Sequence, residues 1–150
     1  MLSKILVYTI TIALLLGFTS VSDQLKVQMG HMPQHYSHFD AKLGWVINAD
    51  KNVTKISGIF QNSRYALMEN IEVWVSVLDD NGKVSVRSVD YIIPDRLARD
   101  DFAPFSVTLP IVTSATTKFL FTYKYNGSDG GENGGSNNWM QSFETSPGSS

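Results

Sequence analysis

Hydrophobic and polar positions alternate most strictly between Ile71 and Val89. Ile71, Val73, Val75 and Val77 take one side of that alternation and Glu72, Trp74 and Ser76 the other, the period of two of a half-buried strand. Asp79-Asp80-Asn81-Gly82 interrupts the pattern, and Lys83, Val84, Ser85 and Val86 resume it. An Asn-Gly step between two alternating runs predicts a β-hairpin on a type I′ turn, with both residues at positive φ. In the returning strand Val89 and Tyr91 fall out of phase with Val84 and Val86, which predicts a β-bulge near Arg87 or Ser88.

The same period marks further strands. Ala41, Leu43, Trp45 and Ile47 alternate up to a turn signal at 48–52, and Val53 to Gln61 follows with Ile56, Gly58 and Phe60 on one face. Arg64 to Asn70 reads as a linker with at most one helical turn. Pro94 stops the hairpin's second strand, because a proline cannot donate to a ladder, and Asp95 to Asp101 reads as a charged connection. Phe105, Val107 and Leu109 alternate within 102–109, and Phe119, Phe121, Tyr123 and Tyr125 share one face of 118–125. The segment 126–138 is a run of Gly, Asn, Ser and acids that cannot bury a core and reads as a flexible loop. Trp139, Gln141 and Phe143 suggest a seventh strand, and 145–150 a tail. Seven short strands with no convincing helix predict an all-β fold, an immunoglobulin- or fibronectin-like antiparallel β-sandwich, with a closed barrel as the alternative.

The N-terminus changes the setting. Lys4 precedes an uncharged apolar run from Ile5 to Phe18, the length of a signal-peptide core and short of the roughly 20 residues a membrane span needs. Ser20-Val21-Ser22 offers small residues at the positions a signal peptidase reads, so residues 1–22 are expected to be a signal peptide and 23–40 an irregular lead-in. The sandwich is then assigned to 41–144, and the protein is expected to be secreted or periplasmic. If the segment stays uncleaved, it would serve as a membrane anchor. The chain holds no cysteine, so the fold stands without disulfides and offers no thiol for a bacterial lipid anchor. Formal net charge is −2 and the basic residues are scattered, which predicts no nucleic-acid partner.

The run Gly58 to Ser63, the run Met68 to Lys83 and Pro104-Phe105-Ser106-Val107 resemble the FxLYD family of small extracytoplasmic β-sandwich domains over about residues 41 to 125. Val75-Ser76-Val77-Leu78-Asp79 stands where that family carries Phe-x-Leu-Tyr-Asp. The resemblance implies a non-catalytic module of the bacterial envelope and carries over no catalytic or binding residue.

Candidate chemistry is sparse. His31, His35 and His38 with Met29 and Met32 form a cluster of imidazole and thioether ligands suited to copper, although Pro33 breaks the helix that would align them. Asp129, Glu132 and Asn133 are oxygen donors for calcium without the spacing of a calcium loop. Asp79-Asp80 and Asp100-Asp101 sit at turns, where carboxylates cap backbone N–H groups. No nucleophile motif is present, so neither catalysis nor a cofactor is expected. Trp74 and Trp139 are the candidate contact surface for an envelope or extracellular protein, a peptide or a carbohydrate. Trp74 and Leu78 lie opposite the valine stripe, where cover by the tail or by the 64–70 linker is expected.

Overall fold

The computed structural model describes residues 20–130 and 134–148. The order is α1 (Val21–Gly30), β1 (Gln34–Ser37), β2 (Ala41–Ala49), β3 (Thr54–Asn62), β4 (Leu67–Leu78), β5 (Val84–Tyr91), β6 (Arg96–Ala98), β7 (Phe102–Leu109), β8 (Lys118–Ser128) and β9 (Asn137–Thr145). Two antiparallel sheets stack face to face. The first has the order β1-β2-β3-β7, and the second β5-β4-β8-β9 with the short β6 also pairing β4. The β-sandwich is therefore observed, as two open layers rather than a closed barrel.

The core is filled by every second residue of both layers. Leu43, Trp45, Ile56, Phe60, Phe105, Val107 and Leu109 from the first sheet meet Val73, Val75, Val77, Phe119, Phe121 and Tyr123 from the second, all buried. Aromatic pairs tie the layers: Trp45 lies 4.8 Å from Phe121 between ring centroids, and Phe60 meets Tyr123 edge-on at 5.6 Å. Gly58 is a packing glycine. A Cβ there would stand 2.3 Å from Phe105 Cζ and 2.6 Å from the Gly44 carbonyl, so the Phe105 ring occupies the space a side chain would need.

Several expectations change. The lead-in is ordered, since Ser20 caps α1 by accepting from the Asp23 N–H at 3.1 Å, and β1 adds an edge strand to the first sheet. The expected cleavage point after Ser22 falls within α1; the apolar run 5–18 lies outside the described residues. Ten residues of helix went unseen because α1 has almost no apolar stripe: Met29 is its only buried side chain. It packs outside the first sheet, over Gly44, where an added Cβ would lie 2.9 Å from Met29 Cγ. This cover explains why Ile59, aimed away from the sandwich core, is buried.

The hairpin turn also differs. Gly82 has φ 75° while Asn81 is not at positive φ, and Gly82 N–H donates to the Asp79 carbonyl at 2.9 Å. Asp79 Oδ1 accepts from the Asn81 and Lys83 N–H groups, which favours a type I turn closed by one left-handed glycine over type I′. The bulge lies nearer the turn than expected: Val77 pairs Val86 and Leu78 pairs Val84, leaving Ser85 as the extra residue. The 64–70 linker is shorter than expected, because β4 begins at Leu67, and the 95–101 connection contains β6.

Candidate contact surface

Strand register sets the outer face of the second sheet. Trp74 of β4 stands between Val89 of β5 and Thr122 of β8, and Thr122 in turn pairs Ser142 of β9. Trp74 is half-buried. Among the described residues its cover is two cations from the neighbouring strands rather than the tail or the 64–70 linker: the Lys124 ammonium lies 5.1 Å and the Arg87 guanidinium 5.8 Å from the indole centroid. The indole N–H donates to Glu72 Oε2 at 2.6 Å, and Arg87 Nε donates to Ser76 Oγ at 2.9 Å, which fixes both groups.

Two shallow depressions run along this face and share Lys124 and Met140. One, of about 280 Å³, is lined by Trp74, Arg87, Leu120 and Thr122. The other, of about 420 Å³, is lined by Asn70, Glu72, Asn126 and Asn138. Asn70 has φ 52° and sits in a second bulge, where the pairing of β4 with β8 jumps between Glu69 and Glu72. Such a bulge re-aims side chains, and asparagine tolerates its left-handed backbone.

Trp139 does not line the depression that holds Trp74, but it borders the adjoining one. It pairs Tyr125, whose side chain points inward, so the two indoles lie on opposite faces of the sheet. Trp139 is 41% exposed at the sheet's end and meets the exposed Phe39 edge-on at 6.0 Å. Arg64 lies 5.5 Å above the Phe39 ring, which makes a smaller aromatic cluster on the β1–β2 turn.

That turn holds a buried carboxylate. Asp40 is 1% exposed; Oδ1 accepts from His38 Nδ1 at 2.7 Å and the Tyr123 hydroxyl at 2.9 Å, and Oδ2 accepts from the Tyr125 hydroxyl at 2.5 Å. Burial pushes the Asp40 carboxyl up, but the hydrogen bonds from Tyr125, His38 and Tyr123 outweigh it and hold the group below its ordinary value. Burial, with the Asp40 charge alongside, pushes both tyrosine hydroxyls well above theirs. The Asp40 cluster bolts the β1–β2 turn of one sheet to β8 of the other.

The His/Met candidates are dispersed. Met29 is buried between α1, to which it belongs, and the first sheet, His31 ends that helix, and Met32 is half-buried just beyond. His35 Nε2 donates to the Met29 carbonyl at 2.8 Å, while His38 belongs to Asp40. Among the described residues no three His, Cys, Asp or Glu side chains gather as metal ligands. Glu132 and Asn133 lie outside the described residues, and Asp129 is exposed.

Sequence reasoning missed Arg87, Lys124 and Asn70 as neighbours of Trp74, because cross-strand partners require register. It also missed Asp40. An available signal was chemical: inward tyrosines at 123 and 125 need partners for their hydroxyls.

No protein-family model matches the chain, and no curated protein does. Among solved structures, the GAE domain of GGA2p from Saccharomyces cerevisiae is similar with TM-score 0.50 at 13% identity, over 75% of this chain and 96% of that one. The yeast GGA1 GAE domain gives TM-score 0.43 at 7% identity, over 72% and 95% of the two chains. A DUF4426 family protein from Pseudomonas aeruginosa gives 0.39 at 15%, over 76% and 97%. At these identities the first likeness speaks to fold alone, and the chain is a two-layer antiparallel β-sandwich.

Proposed function

We propose that the protein is a non-catalytic β-sandwich binding module that works in a secreted or periplasmic setting and holds an envelope or extracellular partner on the outer face of its second sheet. One observation carries the reading: Trp74 lies on an open strand face between Arg87 and Lys124. A large ring flanked by paired cations is the composition of an interaction anchor, rich in contact area and in directional charge. The first sheet offers no equivalent, since α1 packs across β2, β3 and β7. The export setting rests on the apolar run after Lys4 and on the FxLYD-like strands.

The test is capture from envelope extract with the wild-type chain and with Trp74→Ala in parallel. The reading expects a specific component retained by the wild type and lost, by about tenfold or more, with the folded variant. Equal retention by both would contradict it.

A further inference from the structure

We infer that the ligand of this face is a sugar chain bearing carboxylates, of the uronic-acid type. The inference rests on the outer face of the second sheet being the contact surface, and it assigns the chemistry that the surface recognises.

Three features of the face converge. The first is the flat ring of Trp74, which presents a polarisable apolar surface to the C–H face of a pyranose. Lys124 now lies over that ring, but its ammonium rides on a flexible four-carbon stem and can swing towards an arriving anion. The second is charge. The chain as a whole carries −2, yet Arg87, Lys118 and Lys124 project from this face against Glu72 and Glu144. Glu72 accepts from the Trp74 indole N–H and keeps its own negative charge, but among the described residues neither Arg87 nor Lys124, the cations flanking the ring, is in an ion pair. A carboxylate between them would receive two charge-assisted contacts.

The third feature is a supply of unused amides. The side chains of Asn70, Asn126 and Asn138 line the adjoining depression and make no hydrogen bond to the described residues. Each offers a donor pair and an acceptor, the complement of vicinal hydroxyls. An acidic peptide would use the cations and could meet the amides with its backbone, but its acidic side chains offer no flat C–H face for the Trp74 ring. A neutral sugar would use the amides and the ring but leave the cations idle. The carboxylated sugar uses all three, and the shared Lys124 and Met140 make the two depressions continuous enough for a ligand of more than one ring.

The experiment is a titration of the full chain, followed by its amide and indole NMR signals, with an oligogalacturonate; a neutral cello-oligosaccharide and a poly-glutamate peptide serve as comparisons. Saturable shifts are expected at Trp74, Thr122 and Lys124, with a Kd below about 1 mM that weakens as salt is raised. Arg87→Gln and Trp74→Ala should each weaken binding by about tenfold. Asn138→Ala, at an exposed position, supplies a third variant that leaves the core untouched and should lower affinity several-fold. No shift at about 10 mM oligogalacturonate would overturn the inference, as would equal binding of the neutral sugar or full affinity in folded Arg87→Gln and Asn138→Ala. Preferential binding of poly-glutamate at Trp74 would overturn the sugar assignment while leaving the contact surface standing. If Trp74→Ala also keeps its envelope partner in the capture experiment, the surface itself falls.

Discussion

At the scale of single residues, Asp40 is the group on which most depends. Its carboxylate is buried with three donors around it, so replacing it by asparagine removes a charge-assisted acceptor from two tyrosines and a histidine at once. Asp40→Asn should cost about 2–4 kcal/mol in urea unfolding at neutral pH. The pH dependence has a definite sign. A carboxyl held below its ordinary value of 3.8 contributes stability that is complete above about pH 4 and is lost as pH falls through the folded value. Tyr123 and Tyr125, shifted upward, contribute stability that is complete below pH 10 and declines above it. Urea midpoints taken from acid to neutral pH should therefore bend downward in the wild type and run flatter in Asp40→Asn; parallel curves would contradict the assignment. Gly58→Ala should cost about 2 kcal/mol or more, because the added methyl meets both the Phe105 ring and the Gly44 backbone. Neither residue announced itself in the sequence: Asp40 precedes a strand as many acids do, and the clash at Gly58 exists only once β3 and β7 are in register.

Strands were the legible elements. The valine stripe of β4 and the aromatic stripe of β8 are each set by a period of two, and both point inward as that period requires. Val75 is wholly buried, so Val75→Asp places an unpaired charge in the core and should abolish cooperative unfolding, as judged by the loss of near-ultraviolet circular dichroism. A folded variant would show that the face is misassigned. The turn between β4 and β5 was read correctly as a hairpin and incorrectly in its type. Asn-Gly satisfies type I′, but Asp79 supplies a side-chain acceptor for two backbone donors and secures the alternative. The two geometries differ in a measurable way. Gly82→Ala should cost about 1 kcal/mol, and Asn81→Ala much less, because Gly82 alone adopts a left-handed backbone. Equal costs would favour type I′. Helix α1 and strands β1 and β6 escaped the sequence reading for a common reason: each is short and buries few side chains, so tertiary contact rather than local pattern holds it in place.

As a whole, the molecule has two unlike outer faces. The first sheet carries α1, clasped by Met29 over Gly44 and by His35 on the Met29 carbonyl. The second presents Trp74, its cations and the adjoining amides to solvent. The sandwich, and the placing of Trp74 opposite the valine stripe, could be anticipated from alternation alone. The pairing of Trp74 with Lys124 and Arg87, and its separation from Trp139, could not, since both depend on which strands become neighbours. The asymmetry between the faces is the basis for the proposed function, and lysine footprinting tests it most directly. The chain is labelled with an amine-reactive reagent in the presence and absence of envelope extract, and each modified lysine is quantified by mass spectrometry. Lys124 and Lys118 on the second sheet should be protected, while Lys42 and Lys55 on the first keep their reactivity. Protection confined to Lys42 and Lys55, with Lys124 unchanged, would place the partner on the other side and contradict the account.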